Sequence, residues 1–184
     1  MADDGEGWDR ARAGTAGDRL AGLYVALRHD LFTIACHLTS DRAAAEDVVH
    51  DLFAALAARP RELPPFATLA DARRYLATAC AHRARDRERR RRPELASDDR
   101  LAARVAPDDP LRSAATADEA GRVRVALGQL PAEQRAVVTL HLHGGLTFRA
   151  IATTLAIPPD TAMSRYRYAL AKLSRLLAGT RIEE

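Results

Sequence analysis

The stretch from Leu146 to Leu173 constrains the fold of this 184-residue chain more than any other, because it predicts two helices joined by a tight turn. Ile151 and Leu155 are four residues apart and share one face of the first predicted helix, which Thr147 can cap. The sequence Ala-Ile-Pro-Pro at 156–159 then ends that helix and begins the next, since proline is tolerated in the first turn of a helix but not in its interior. Two helices packed in this way form a helix-turn-helix.

The second of these helices has an apolar side and a polar side. At about 100° of rotation per residue, its inward side consists of Ala162, Tyr166, Ala169, Leu170 and Leu173. Its outward polar side suits the major groove of DNA, where arginine binds guanine through two hydrogen bonds. The candidate DNA-contacting residues are Thr161, Met163, Ser164, Arg165, Arg167, Tyr168, Lys172 and Arg149. The alternative is an ordinary helical hairpin whose arginines form a solvated surface.

Composition favours helices throughout the chain. Aromatic residues make up only 5 % of the sequence, alanine is abundant, and alternating strand patterns are nearly absent. We therefore predict an all-α fold with two small helical domains joined by a flexible linker, the second domain containing the helix-turn-helix. The predicted divisions are a disordered amino terminus at 1–17, a first domain at 18–92, an acidic linker at 93–117 and a second domain at 118–184.

Charge is segregated along the chain, although the net charge is only +3. Residues 71–92 contain nine arginines and three acidic residues, whereas residues 93–121 contain three arginines and seven acidic residues. This asymmetry predicts that parts of the chain contact a polyanion. The amino terminus is acidic and lacks the apolar segment of a secretory signal, and no apolar run approaches the roughly 18 residues of a membrane helix. We therefore expect a cytoplasmic protein that does not bind membranes.

Three helices are predicted in the first domain. One begins near residue 18, the second follows Ser40 as its cap, and the third begins at a capping box formed by Thr68 and Asp71. The second helix carries acidic side chains on its outer face, which either bind a basic helical partner or form a solvated surface. The third helix loses its apolar face and gains seven arginines between 83 and 92. That end is predicted to lie along a polyanion, with a basic solvated tail as the alternative.

Four stretches of the sequence resemble the extracytoplasmic-function (ECF) sigma factors, a group within the main bacterial sigma family. They are AAEDVVHDLF at 44–53, HRARDRERRR at 82–91, LPAEQRAVVTL at 130–140 and the helix-turn-helix itself. The resemblance extends from about residue 20 to residue 178. It implies that the chain binds core RNA polymerase and directs promoter recognition and transcription initiation.

The same resemblance implies roles for particular residues. Polymerase binding is assigned to Asp47, His50, Asp51 and Phe53. Contact with the downstream promoter box is assigned to His82, Arg83, Arg85, Arg87, Arg89 and Arg90, and contact with the upstream box to the candidate residues of the helix-turn-helix. In the family, the loop that corresponds to residues 60–67 captures a base flipped out of the opened strand. Phe66 either contributes to that pocket or packs in the core, and we favour the core.

Several positions depart from the family pattern. His50 replaces the usual Gln, His82 replaces Asn, and Ala150 replaces a common Glu. Met163 replaces a frequent basic residue and offers a methyl contact in place of a hydrogen bond, which predicts a shift in promoter preference. Ala156 stands where Gly is usual in the turn, at a cost of about 1 kcal/mol if it must adopt a left-handed conformation.

The sequence shows no pattern typical of an enzyme or a metal site. His141 and His143 are two residues apart on a predicted helix and therefore point about 200° away from each other. Cys36 and Cys80 are isolated among apolar residues and are predicted to be buried free thiols. We expect no catalytic residues, no bound metal, no cofactor and no small-molecule substrate.

Two other functions remain open at the level of the sequence. The chain could be a DNA-binding regulator that uses the helix-turn-helix without joining RNA polymerase, but such a regulator has no need for an acidic docking helix followed by an arginine-rich one. It could also be an interaction module whose basic helix binds an acidic anti-sigma protein. An anti-sigma protein is likewise a partner that the sigma-factor interpretation allows.

Overall fold

The structure is a computed structural model that describes Trp8 and residues 11–39, 41–91 and 114–179. Its α-helices in these ranges are α1 (Ala16–Thr39), α2 (Arg42–Ala58), α3 (Leu69–Arg91), α4 (Ala114–Gly128), α5 (Ala132–Leu142), α6 (Phe148–Leu155) and α7 (Pro159–Gly179), with a short 3-10 helix at Pro60–Glu62. The described residues contain no β-strand, so the predicted all-α class is confirmed.

Helices α1, α2 and α3 pack together as the first helical unit, with α1 in contact with both of the others. Leu23, Leu27 and Leu31 recur at four-residue intervals along α1, and each is fully buried because this spacing keeps them on one side of the helix. Their partners on α3 include Leu76 and Cys80. Burial of this apolar stripe is what holds α1 at the centre of the unit.

Side-chain caps define where these helices begin. Thr68 and Asp71 form the predicted capping box, with the Asp71 amide donating to Thr68 Oγ1 and the Thr68 amide donating to Asp71 Oδ2. The predicted cap of the second helix was wrong by one residue. Asp41 is the cap, and its carboxylate accepts hydrogen bonds from the amides of Ala43 and Ala44. Ser40 itself lies outside the described residues.

Part of the amino-terminal segment is ordered, which the sequence did not predict. Trp8 is buried in the core with only 4 % of its surface exposed, and Gly22 of α1 leaves room for this segment because a side chain there would collide with Ala11. Arg12 donates a hydrogen bond to the carbonyl of Ala67 at 3.0 Å. The expectation of disorder over residues 1–17 is therefore wrong for the described part, because the large apolar ring offsets the entropy lost in ordering it.

Helices α4 to α7 form the second helical unit. Thr147 caps α6 by accepting a hydrogen bond from the Ala150 amide, as predicted. Ala156 ends α6 in the left-handed conformation that the turn requires, with φ 55° and ψ 51°. This conformation costs more free energy for alanine than for the glycine that is usual at this position. Arg135 is buried under the preceding turn, where its guanidinium donates to the carbonyls of Gly128 and Leu130. These contacts define the two ends of α6 and hold the turn between α4 and α5.

The two units pack directly on each other. Helix α1 contacts α5, α3 contacts α6, and buried side chains of both units belong to one continuous hydrophobic cluster. The predicted linker lies almost wholly outside the described residues, and α4 already begins at Ala114, within its predicted span. No described helix is long and apolar enough to cross a membrane.

Burial suppresses the ionisation of three side chains in the interior. It raises the pKa of the Cys36 thiol to about 11 and that of Cys80 to about 12, which agrees with the prediction of buried free thiols. Burial, and then the positive charges of Arg135 and His143, lower the pKa of His37 to about 4. His37 is therefore neutral at physiological pH, and its burial was not predicted from the sequence.

Candidate nucleic-acid interface

The second helix of the helix-turn-helix, α7, presents a continuous exposed side. Met163, Ser164, Arg167, Tyr168 and Ala171 are all exposed, and Tyr168 has 68 % of its surface accessible. An exposed aromatic ring beside an arginine is an arrangement that can contact base edges when the helix lies in a major groove. The structure therefore presents the predicted outward residues together on one accessible surface.

Two of the predicted DNA-contacting residues instead have partners inside the second unit. Arg165 Nη2 lies 2.6 Å from Glu133 Oε2 of α5, and Lys172 Nζ donates to the carbonyl of Gln129 at 2.8 Å. Both contacts tie α7 to the preceding helices. Arg149, by contrast, is exposed on α6, and Thr161 is half-buried near the start of α7.

The inward side of α7 agrees with the predicted set except at one position. Ala162, Ala169 and Leu173 are buried, and Tyr166 packs on the core. Leu170 was predicted to face inward, but it is 42 % exposed. It lies at about 80° around the helix from Ala162, at the margin of the buried stripe, where part of its side chain stays accessible to solvent.

An aromatic cluster supports α7 from beneath. The rings of His141 and Phe148 are stacked with centroids 4.8 Å apart, and the Tyr166 ring meets both of them edge-on. His141 Nδ1 is also 2.8 Å from the carbonyl oxygen of Leu146. Aromatic packing of this kind fixes the rotation of α7 about its own axis and so fixes which residues it exposes.

The arginine-rich end of α3 remains helical to Arg91, as predicted, but its side chains differ in their surroundings. His82, Arg83 and Arg90 are exposed. Arg89 pairs with Asp86 at 3.2 Å on the same helix. The guanidinium of Arg85 donates to the main-chain carbonyl of Thr154 in α6. Part of this basic end is therefore engaged with the second unit.

The acidic face of α2 is accessible, with one exception among the predicted residues. Asp47, His50 and Asp51 are exposed. Phe53 is 8 % exposed and packs in the core, where it meets the Tyr24 ring edge-on at 5.0 Å. Three residues separate Phe53 from His50, so the two side chains point about 60° apart around α2. Phe53 lines the groove between α1 and α2 with most of its surface covered, and its contact with a docking partner stays a prediction.

Phe66 packs against the hydrophobic core, the environment that we favoured for it from the sequence. Its ring is partly buried against the hydrophobic core and lies 5.4 Å from the Tyr75 ring. Tyr75 is itself substantially exposed, so the two rings form an aromatic surface at the edge of the first unit. A role of this surface in base capture stays a prediction.

A set of contacts between the two units was not predicted from the sequence. Asp30 of α1 lies between Arg73 of α3 and His143 at the end of α5, with oxygen-to-nitrogen distances of 3.5 Å and 3.1 Å. His143 is 113 residues away from Asp30 along the chain, so no local pattern signals the pair. Such contacts can be recognised only once the fold brings the helices together.

The described residues contain no group of three or more histidine, cysteine or acidic side chains arranged to hold a metal ion. His141 and His143 contact different parts of the structure, Leu146 and Asp30 respectively, as their spacing on the helix predicted. Those two histidines therefore act as packing and polar-contact residues in the described part of the chain.

Fold and surface together define a class of protein: an all-helical, two-unit protein with a helix-turn-helix whose second helix has an exposed outer side. Residues 120–173 match the family model for sigma-70 region 4. No curated protein matches the sequence at a significant level. The second unit is therefore similar to sigma-70 region 4 over these residues.

Two solved structures share the fold of nearly the whole chain. One is the sigma factor RpoE in complex with the anti-sigma factor NepR from Bartonella quintana, with a TM-score of 0.64 and 21 % identity over 88 % of this chain and 96 % of that one. The other is CnrH in complex with the cytosolic domain of CnrY, with a TM-score of 0.54 and 24 % identity over 96 % of this chain and 97 % of that one. The predicted resemblance to the sigma factors is confirmed in the sequence of the second domain and in the fold of the whole.

Proposed function

We propose that this protein is an ECF-type sigma factor, which binds core RNA polymerase and directs promoter recognition and transcription initiation. The observation that carries the proposal is the sigma-70 region 4 match over residues 120–173, in a chain whose first helical unit completes the fold of a sigma factor. A plain DNA-binding regulator does not require that first unit. The protein itself supplies no catalysis in this proposal, because initiation uses the chemistry of the polymerase.

The first domain, residues 18–92, would bind the polymerase through the exposed face of α2. Asp47, His50 and Asp51 are accessible there. A groove of about 950 Å³ between α1 and α2 adjoins this face, and Val25 on its wall is 71 % exposed. Acidic side chains beside exposed apolar surface suit a basic helical partner, since charge speeds association and apolar burial supplies affinity.

The same domain would hold the downstream promoter box with the basic end of α3. His82, Arg83 and Arg90 are exposed in the present arrangement, whereas Arg85, Arg87 and Arg89 have protein partners. We assign phosphate contacts to this set, because arginines on an exposed helix neutralise the DNA backbone without reading sequence.

The second domain, residues 118–184, would read the upstream promoter box with the exposed side of α7. Arg167 is the candidate for a guanine contact, while Met163 and Tyr168 offer apolar contacts to the groove. Arg149, at the start of α6, is the candidate for a phosphate contact. Arg165 and Lys172 contact Glu133 and Gln129, so we propose that their main role is to hold α7 against the preceding helices.

The partners of the chain follow from this proposal. They are core RNA polymerase and promoter DNA, and an anti-sigma protein is a further candidate because both structural relatives were solved with a partner chain, one of them named as an anti-sigma factor. No small-molecule substrate or cofactor is part of the proposal. Since its proposed partners reside in the bacterial cytoplasm, we place the protein there.

Transcription with purified components tests the proposal. Core RNA polymerase and this protein are incubated with fragmented genomic DNA of the source organism, and the transcripts are sequenced. We expect a defined set of start sites that core polymerase alone does not produce. The absence of any new start site, with no inhibitory protein in the mixture, would remove the proposal in favour of a regulator that does not join the polymerase.

A charge-reversal pair sharpens the assignment of the docking face. Asp51→Lys places a positive charge on the exposed face of α2, and we expect it to abolish copurification with core polymerase while circular dichroism stays unchanged. Glu62→Lys makes the same charge change elsewhere on the first domain and is expected to retain binding. Equal binding by both variants would show that the polymerase docks elsewhere.

A further inference from the structure

The proposed function assigns no role to Trp8 and residues 11–15, which lie on the first unit and are called the amino-terminal brace below. The indole ring of Trp8 is buried and belongs to the hydrophobic core of that unit. Its Nε1 atom has no hydrogen-bond partner among the described residues, so apolar packing holds the ring. Burial of a side chain of this size anchors the brace to the domain.

Gly22 of α1 is the position that admits the brace. A Cβ atom at Gly22 would lie 2.5 Å from the Cβ of Ala11 and 3.9 Å from Cε3 of Trp8. The first of these distances is shorter than two carbon atoms can approach, so Ala11 lies on the helix only because Gly22 has no side chain. Glycine within a helix otherwise lowers its stability, and this contact explains its presence here.

The chain turns between the brace and α1, and hydrogen bonds hold that turn. The Gly14 amide donates to the carbonyl of Ala11 at 3.1 Å. Thr15 and Asp18 form a capping box, in which the Asp18 amide donates to Thr15 Oγ1 at 3.2 Å and the Thr15 amide donates to Asp18 Oδ2 at 2.8 Å. The brace is therefore held at both ends, by the buried ring and by the start of α1.

Arg12 extends from the brace to the loop at residues 59–68, which joins α2 to α3. Its Nη1 atom donates to the carbonyl of Ala67 at 3.0 Å, although the two residues are 55 positions apart in the sequence. Ala67 stands between Phe66, which packs on the core, and Thr68, which caps α3. A hydrogen bond from a guanidinium is stronger than one between neutral groups, so this contact restrains the end of the loop.

The restrained end of the loop carries the aromatic surface formed by Phe66 and Tyr75. The two ring centroids are 5.4 Å apart, and Tyr75 is 42 % exposed. Accessible aromatic rings stack on unpaired bases of any sequence. Stacking requires the ring and the base to lie in contact, so it depends on where the loop holds Phe66.

We propose that the amino-terminal brace positions Phe66 for stacking on an unpaired base of the opened promoter, with Arg12 as the positioning residue. The identity of the ligand rests on the proposed function, whereas the coupling of the brace to the loop does not. Arg12 touches no base in this scheme. It acts through the carbonyl of Ala67, and Trp8 fixes the place from which it acts.

Hydrogen–deuterium exchange of the free protein measures this coupling without DNA or polymerase. Arg12→Ala removes the hydrogen bond to Ala67, and we expect the amides of residues 63–72 to exchange about fivefold faster because the loop is less restrained. Arg12→Lys keeps a charged donor and should recover part of the protection. Arg175→Ala removes an exposed arginine from α7 and is the control. Wild-type exchange in Arg12→Ala would overturn the inference.

Trp8 is the only tryptophan in the sequence, so its fluorescence reports whether the brace is docked. Gly22→Ala places a Cβ against Ala11, and we expect emission at longer wavelength and about threefold stronger quenching by acrylamide. Adding Ala11→Gly removes the colliding atom and should restore the wild-type values. Gly121→Ala is the control, because no described atom lies within 4 Å of the added Cβ. Unchanged emission from Gly22→Ala, or an exposed Trp8 with unchanged exchange in the loop, would overturn the inference.

Promoter opening tests the role of the positioned ring. Holoenzyme containing each variant is bound to a promoter found in the transcription experiment, and unpaired thymines are detected with permanganate. We expect Arg12→Ala to lower their reactivity at least about threefold, and Arg12→Ala combined with Phe66→Ala to be no worse than Phe66→Ala alone. Additive losses, or a displaced loop with unchanged opening, would overturn the inference. A wild-type holoenzyme that opens no promoter would instead count against the proposed function.

Discussion

Asp47 of α2 and Arg87 of α3 form an ion pair with 2.5 Å between Oδ2 and Nη2. Asp47 is a candidate polymerase contact and Arg87 a candidate DNA contact, so two surfaces with different proposed partners neutralise each other within one domain. Both side chains are substantially exposed, which limits the contribution of the pair to stability to about 1 kcal/mol or less. Either partner can therefore displace the pair and release the other residue.

Removing Arg87 should favour binding of the polymerase. We expect Arg87→Gln to tighten the affinity for core polymerase by up to about fivefold, because Asp47 no longer has a competing partner. Asp47→Lys should weaken binding at least about tenfold. Fluorescence anisotropy of labelled protein titrated with core polymerase measures both. Arg83→Gln removes the same charge from the same helix without freeing Asp47, and weaker binding by Arg87→Gln than by this control would contradict the competition.

Local features of the fold could be predicted from the sequence because their causes lie within a few residues. The capping box of Thr68 and Asp71, the Thr147 cap and the left-handed Ala156 each depend on neighbours within one helical turn. The exposed side of α7 followed from helical periodicity alone. Periodicity gives the direction of a side chain but does not show which positions at the margin of the apolar stripe other helices cover. Leu170 lies at that margin and was therefore assigned to the wrong side.

Contacts that depend on packing between distant segments could not be predicted. The covering of Phe53 depends on Tyr24 of a different helix, and the contact of Asp30 with His143 joins segments 113 residues apart. The engagement of Arg85 by Thr154 has the same origin. A sequence pattern shows which residues can bind DNA or protein, whereas the tertiary structure decides which of them are already occupied.

The turn of the helix-turn-helix stores a small strain that one substitution should remove. Ala156 adopts φ 55°, which costs an alanine about 1 kcal/mol but costs glycine nothing. We expect Ala156→Gly to raise the free energy of unfolding by about 0.5 kcal/mol after the greater chain entropy of unfolded glycine is subtracted. Urea denaturation followed by circular dichroism measures the change.

The matched control for that variant is the same substitution at a regular helical position. Ala171 is exposed in α7, where glycine lowers helix stability by about 1 kcal/mol. A rise in the free energy of unfolding for Ala156→Gly and a fall for Ala171→Gly would establish the strain at the turn. A loss of stability at Ala156 comparable with that at Ala171 would show that the left-handed conformation carries no penalty here.

Acid should destabilise the folded protein through His37. Burial, and then Arg135 and His143, lower the pKa of His37 from 6.5 to about 4, so the unfolded chain binds the proton more readily than the folded one. The contribution of neutral His37 to the free energy of unfolding is fully present above about pH 6.5 and is lost as the pH falls towards 4. At about 1.4 kcal/mol per pH unit, the total loss is about 3 kcal/mol.

Urea unfolding between pH 7 and pH 4.5 measures this loss. The variant His37→Gln cannot take up the proton and should show a shallower decline in stability with acid, whereas His50→Gln, at an exposed histidine, should follow the wild type. Parallel pH profiles for wild type and His37→Gln would show that His37 is not held neutral by the fold.

Arg167 and Lys172, both basic residues of α7, should differ in what they contribute. Arg167 is exposed on the outward side, so Arg167→Ala is expected to cost about 1–3 kcal/mol of promoter affinity and to relax sequence preference at one base pair, with stability unchanged. Lys172 donates to the carbonyl of Gln129, so Lys172→Ala should instead lower the free energy of unfolding by about 1 kcal/mol. Promoter binding by the polymerase holoenzyme, measured at several salt concentrations beside urea unfolding, separates the two effects. If Lys172→Ala keeps full stability and only reduces the salt dependence of binding, its contact with Gln129 gives way to a phosphate in the complex.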